Sequence, residues 1–296
     1  MDGARPQAAG TGSLLRTMLI TREEATFDFG GARFDLERDR DVLAWIFSQY
    51  LYGEVTGVQV GHWLEVAPDF DAAQFLARQA NEEMAHVKLF LRILDSLGAS
   101  PQPPHRALRF LATDFAGATF EEHCLLEMAV GEGFVLTAIY GFIDTLPEGE
   151  IRTLMSGLAR QEEGHVNFGE QQTIKALQAR PGLAPHLLGL TLVAMLGVRA
   201  IARYTAKRYG DHPVLRQMPA FLAHANRVTE LRLRRLGVVD GPLEALGSAR
   251  RGTLMARATS SRYARVLNPL RRKPVPLTKT YLADPGIMAR FEARRS

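Results

Sequence analysis

Ala80-Asn81-Glu82-Glu83-Met84-Ala85-His86-Val87 aligns without gaps on Ala159-Arg160-Gln161-Glu162-Glu163-Gly164-His165-Val166 further along the chain. Both stretches carry Glu-x-x-His. Residues at i and i+3 of an α-helix project from one face, so each pair can grip one ion through a carboxylate oxygen and an imidazole nitrogen. With 8 histidines and 19 glutamates in 296 residues, chance alone supplies roughly half of one such match. One pair would mean little; two in register mean much more.

Each pair has a Gly-Glu upstream, Gly53-Glu54 for the first and Gly131-Glu132 for the second. Glu54 precedes Glu83 by almost the same length of chain as Glu132 precedes Glu162. That length fits a helix, a short turn and a return helix, so the two halves read as antiparallel helical hairpins. Antiparallel helices bring residues equidistant from their turn to one height, because both rise about 1.5 Å per residue. Glu132 lies 15 residues before Pro147 and Glu162 lies 15 after it, while Glu54 and Glu83 flank Pro68-Asp69 about equally. The symmetry selects Glu132 over Glu127, which falls more than a turn away. Glu54, Glu83, His86, Glu132, Glu162 and His165 then form four carboxylates and two imidazoles for two divalent ions, an oxygen-rich set that suits iron or manganese better than zinc or copper. The bland alternative is a pair of solvated acidic helix faces.

Around this kernel the chain reads as all-α. Apolar periodicity predicts helices from Asp39 or Asp41 through Leu64, from Asp71 to Leu97, from Phe120 to Asp144, from Glu148 to Ala179, from Ala184 to Tyr209 and from His212 to Leu236. Pro68, Gly98, the Pro101-Gln102-Pro103-Pro104 break, Pro147 and Pro181-Gly182 punctuate them. Residues 1–38 form a leader, Gly- and Ala-rich to residue 13, with an alternating stretch around Gly30-Gly31 that predicts a small β-hairpin. Residues 39–240 form the helical domain, and 241–296 a basic C-terminal extension.

Composition narrows the function further. The apolar fraction of 46% is ample for a core. The single cysteine, Cys124, excludes a disulfide framework within the chain and a Cys-based iron module, and a reducing cytoplasm is the expected setting. The longest apolar run, Leu187 to Val198, falls well short of the ~20 residues that span a bilayer, so a core helix rather than an anchor is expected. Residues 247–296 hold 12 Lys and Arg against 2 acidic residues, a net of +10, leaving 24 − 30 = −6 for residues 1–246. Such a tail would meet an acidic carrier protein, nucleotide phosphates or anionic lipid, or neutralise the acidic body beside it. No motif for sequence-specific nucleic-acid binding accompanies it.

The motif, the hairpin order and the spacing resemble the ferritin-like di-iron carboxylate proteins over about residues 40–180. Within that group His165-Val166-Asn167-Phe168-Gly169, Cys124-Leu125-Leu126 and the short glutamate spacings look most like the aldehyde-deformylating oxygenase and rubrerythrin-like branch. The resemblance implies a four-helix bundle with two further helices. It also implies that the six residues hold two irons, with manganese the alternative, which activate O2 using electrons from an external donor such as a ferredoxin and its reductase. The expected activity is an oxygenase or oxidase acting on a small hydrophobic or carrier-linked substrate, an aldehyde among the candidates. A storage-like or non-catalytic ferritin-family protein and a manganese catalase-like enzyme are the competing readings. Phe90 stands where a ribonucleotide reductase small subunit would usually carry its radical tyrosine, which argues against that relative.

Two features lie beside the ligands. Gly53, Gly57 and Gly61 recur every fourth residue, each costing roughly 1 kcal/mol of helix propensity relative to alanine. Either they open a substrate channel lined by Gly57, Val58, Gly61, Phe90 and Ile139, or they permit close helix packing. His62 and His123 are expected to be structural or exposed, because at about 100° per residue His62 is rotated about 80° from Glu54 and His123 about 180° from Glu132.

Overall fold

The structure, a computed structural model, describes residues 18–267, with the side chains of 261–267 left aside; the leader before residue 18 and the extension beyond 267 lie outside the described residues. The described chain is all-α, with no strand among those residues.

A single helical turn, α1 (Arg22–Ala25), opens the fold. Thr21 and Glu24 form a reciprocal capping box around it. The expected hairpin is absent. A turn does form, with Gly30 and Gly31 at φ of 59° and 72° and the Asp28 carboxylate accepting from the Gly30 N–H. Beyond the bond that closes the turn, Ala32 N–H to Phe29 O at 3.1 Å, no strand pairing joins the flanking segments. The Phe34 N–H donates instead to Thr145 O at 2.8 Å, and Phe27 and Phe29 pack their rings against Phe221. An isolated two-stranded hairpin is marginal in water, and these aromatic side chains gain more by burial on the helices.

Helix α2 (Arg40–Gly57) ends earlier than the periodicity predicts, and Val58–Val66 continue as a tighter 3-10 winding. Asp39 stands at the N-cap position without capping. Its carboxylate instead takes Arg38, the Asp35 N–H and His212. Helix α3 (Phe70–Ser96) is capped by Asp69, whose side chain accepts from Ala72 N–H at 2.8 Å, and stops before Gly98, at φ 62°. A short α4 (Arg106–Arg109) follows the proline break.

The third long element is composite. Thr119 caps α5 (Phe120–His123), which runs into a π-helical stretch, Cys124–Glu132, and then into α6 (Gly133–Thr145). Helix α7 (Glu150–Ala179) returns alongside it, and Gly169 on α7 is what lets the two approach: a Cβ there would lie 2.7 Å from Cys124 O. Helices α8 (Ala184–Tyr209), α9 (Met218–Leu236) and α10 (Gly247–Leu267) complete the fold. Helix α9 starts later than expected, after a 3-10 turn at Leu215–Gln217.

The pair α2/α3 and the pair formed by Phe120–Thr145 with α7 pack together through α3 and α7. The main core lies among them, around Leu43, Phe47, Phe90, Leu136, Ile139 and Val166. Helix α8 covers the π-helical stretch, α9 packs on α6 and α7, and α10 lies along α8. A buried ion pair bolts α9 to α7, with Arg232 Nε donating to Glu170 Oε1 at 2.9 Å while Glu170 Oε2 accepts from Leu19 N–H.

By length and composition two helical spans, Phe120–Thr145 and Pro181–Tyr209, could cross a bilayer. Of the most apolar 18-residue window in each, 67% is buried in the first, as in a core helix, and 33% in the second. The second contains the apolar run Leu187 to Val198, and its helix extends beyond that run at both ends.

Candidate metal centre

Four helical elements contribute to one buried cluster. Helix α2 supplies Glu54, α3 supplies Glu83 and His86, the end of the π-helical stretch supplies Glu132, and α7 supplies Glu162 and His165. Ligand atoms of Glu54, Glu83, His86 and Glu162 lie within 4.8 Å of one another, as do those of Glu83, Glu132 and His165. Glu83 belongs to both groups. Glu162 also faces both, with Oε1 3.2 Å from His86 Nδ1 and Oε2 3.4 Å from His165 Nδ1. The two imidazole rings are 6.1 Å apart. All six positions picked from the sequence are thus brought together in space, five of them buried and Glu132 partly so.

Both histidines turn Nδ1 toward the carboxylates. Their outer nitrogens are held crosswise: Gln161 Oε1, on α7, is 2.8 Å from Nε2 of His86, and Glu82 Oε2, on α3, is 2.8 Å from Nε2 of His165. An acceptor at Nε2 places the ring proton there and leaves the Nδ1 lone pair facing the cluster, the arrangement a metal-ligating imidazole needs. Neither Glu82 nor Gln161 is among the six residues picked from the sequence. The signal lay in the repeat itself, since both residues immediately precede the glutamate of their Glu-x-x-His.

Gln79 is a further contributor that the sequence reading missed. One turn before Glu83, its amide donates to Glu132 Oε1 at 3.0 Å and to Glu83 Oε1 at 3.3 Å. Gly57 has a specific task as well. A Cβ there would come 2.7 Å from Glu83 Oε2, so the missing side chain makes room for a carboxylate that both groups share.

Among themselves these groups can only share protons. Four carboxylates with two neutral imidazoles sum to −4, matched by two divalent cations. Burial, followed by the neighbouring Glu54 and Glu162, pushes the Glu83 carboxyl up to about 9. Burial also raises Glu54 and Glu132. For His86 burial works downward, but the carboxylates of Glu162 and Glu54 win and hold it up at about 11. Burial would raise Glu162, yet the two histidines bring it down to about 2. Glu132 Oε2, His165 Nδ1 and Gln79 Oε1 are buried with no hydrogen-bond partner among the described residues. Buried polar atoms are rarely left that way, and the donor set fits hard or borderline cations.

A cavity of about 410 Å³, mostly apolar, opens onto the carboxylate side of the cluster. It touches Glu54, Glu83, Glu132 and Glu162, and extends past Tyr50 and Val135 to Met195 and Ile201 on α8 and Met218 on α9. Its size falls within the range of small-molecule sites. Of the five channel candidates, only Gly57 lines it. Phe90 and Ile139 are packed into the core, Phe90 stacked on Tyr50 with ring centres 5.5 Å apart, and Val58 and Gly61 sit on the 3-10 winding away from the cavity wall.

No protein-family model matches the chain, and no curated protein or solved structure matches it significantly.

One of the two histidines read from helix geometry differs from expectation. His62 is exposed, as read from its angle. His123 and Glu127, by contrast, both line the cavity. The expectation that His123 points away from Glu132 assumed an α-helix throughout. The wider i→i+5 winding of Cys124–Glu132 advances by a smaller angle per residue, and the accumulated shortfall swings His123 round to the side that Glu132 faces. Glu127 contributes to a different contact from Glu132, with Oε1 accepting from Gly117 N–H and Oε2 lying 2.9 Å from His123 Nδ1.

Proposed function

We propose that this protein is a ferritin-like dimetal carboxylate oxidoreductase, dependent on O2, that acts on a small hydrophobic substrate. The observation that carries the reading is the joining of four carboxylates and two imidazoles, buried together, to an apolar cavity that reaches them from one side. Two iron ions, with manganese the alternative, would supply the redox chemistry toward O2, drawing electrons from an external donor such as a ferredoxin and reductase.

The residues have separable tasks in this reading. Glu54 and His86 would hold one ion and Glu132 and His165 the other, with Glu83 and Glu162 between the two. Carboxylates can shift between terminal and bridging modes as an ion changes charge, while imidazole keeps a fixed position. Glu82 and Gln161 orient the imidazoles. Gln79 steadies Glu132 and Glu83. The apolar wall excludes water and favours a hydrophobic substrate, an aldehyde among them.

Aerobic loading with ferrous iron should give about two metals per chain, and the reduced protein should consume oxygen faster than the same iron free in solution. Fewer than about one metal per chain would overturn the dimetal reading. Full loading without faster oxygen use would leave a storage-like protein, and vigorous peroxide breakdown by the manganese form a catalase-like one.

A further inference from the structure

We infer that His123 is a polar anchor in the cavity wall, and that it selects an apolar substrate whose head carries a hydrogen-bond donor such as a hydroxyl or amine. The inference rests on the reading of this cavity as substrate space.

His123 is only 3% exposed and lines the cavity. It is held from two sides. Its ring stacks on Trp63 with centres 4.9 Å apart and planes at 19°, and Nδ1 lies 2.9 Å from Glu127 Oε2. Glu127 is itself fixed by the Gly117 N–H. Gly117 is sterically required in turn, because a Cβ there would fall 2.7 Å from the His123 Cα.

Neither ring nitrogen makes a hydrogen bond among the described residues: Nδ1 has the Glu127 carboxylate close by but not aligned as a hydrogen bond, and Nε2 has no hydrogen-bonding group paired with it. A buried imidazole nitrogen without a partner costs free energy comparable to a lost hydrogen bond, so a site that builds one in is poised to gain it from a ligand. A carboxylate oxygen 2.9 Å from Nδ1 favours the ring proton on that nitrogen by its charge, because a bare lone pair there would face the negative oxygen, and this leaves Nε2 the acceptor. An acceptor needs a donor on the ligand, which picks out the head-group chemistry. His123 and Glu132 are separated by at most about 14 Å along the helix axis at the α-helical rise. A medium-length chain anchored at His123 can therefore reach the carboxylates.

The test compares two isomers, 1-octanol and 1-methoxyheptane, which share every atom type and differ in whether the oxygen carries a proton. Their affinities for the full-length, metal-loaded chain would be measured by calorimetric titration in wild type, His123→Phe and His123→Gln. The phenyl variant keeps a ring against Trp63 and removes the acceptor; the amide variant keeps an acceptor and decides the matter should the first fail to fold. Wild type is expected to favour the alcohol about tenfold more strongly than His123→Phe does, with His123→Gln in between. An alcohol-to-ether ratio unchanged in both variants overturns the inference, as does a wild type that binds neither isomer. So does a fall in metal content on replacing His123, which would make it a metal-holding group. The two readings fail separately: wild-type metal content tests the dimetal proposal, and the alcohol preference, measured again on metal-stripped wild type and variants, tests the anchor.

Discussion

The Glu82 side chain reaches from α3 to α7 and sets its Oε2 2.8 Å from Nε2 of His165. Gln161 makes the mirror-image contact with His86 at the same distance. The two contacts differ in charge: a carboxylate backs one imidazole and a neutral amide the other. A carboxylate behind a ligating imidazole strengthens it as a donor more than a neutral amide does, so the two candidate metal positions are not equivalent.

Glu82→Gln removes that difference while keeping an acceptor in place. Metal affinity should fall about 10- to 100-fold at one of the two positions and stay near wild type at the other. Competition against a chelator of known affinity, read as two binding steps, would show it. Equal weakening at both positions would contradict the crosswise assignment.

Gly57→Ala is expected to separate metal binding from folding. The new methyl group would meet Glu83 Oε2 at 2.7 Å, and Glu83 belongs to both ligand groups, so both metals should be lost together. Helix propensity favours alanine by about 1 kcal/mol, so thermal melting of the metal-stripped variant should match or exceed that of metal-stripped wild type. A variant that still loads two metals would show that Glu83 is free to move aside.

Glu132→Ala and Glu127→Ala form a matched pair on one stretch of helix. The first removes a member of the cluster and should lower the metal content. The second removes a residue engaged with Gly117 and His123 and should leave metal content unchanged, as measured by elemental analysis of purified protein.

Metal-stripped protein should lose stability as pH rises from about 5 to 9. The folded-state value of Glu83 is raised to about 9 and that of His86 to about 11. A raised group contributes stability that is complete below its unfolded-state value and disappears as pH climbs through the folded one. Glu162, lowered to about 2, acts oppositely but only below this window. Metal loading should flatten the trend and release protons, detectable as a dependence of binding enthalpy on buffer ionisation. Melting temperatures of stripped and loaded protein across that range provide the measurement, and parallel curves would contradict it.

Arg232→Met leaves Glu170 as an unpaired carboxylate in the core, since both members of the pair are buried. The expected loss is about 3–5 kcal/mol in denaturant unfolding. Pairing it with Glu170→Leu should restore much of that, because the isolated buried charge rather than the missing attraction dominates the cost.

Much of this site is legible in the sequence. The two Glu-x-x-His pairs lie on helices whose 3.6-residue period fixes which side chains share a face. Reflection about Pro68 and Pro147 used only the common rise of antiparallel helices. It placed Glu54, Glu132 and their partners at matching depth, and the structure brings those residues together. The expected hairpin went the other way, because alternation records that one face is buried and cannot say whether a strand or a helix bundle buries it.

What the sequence alone determined was the all-α character, the principal helices and the identity of six polar residues able to meet, since each depends on local periodicity and on distance from a turn. Only the tertiary structure decided which neighbours complete the site. Gln79, Glu82 and Gln161 act across helices, the Gly57 gap exists because Glu83 arrives from a neighbouring helix, and His123 faces the cavity because a π-helical stretch alters the angle per residue. Those relationships depend on the rotation of one helix against the next, which packing sets and which no single helix carries in its own period.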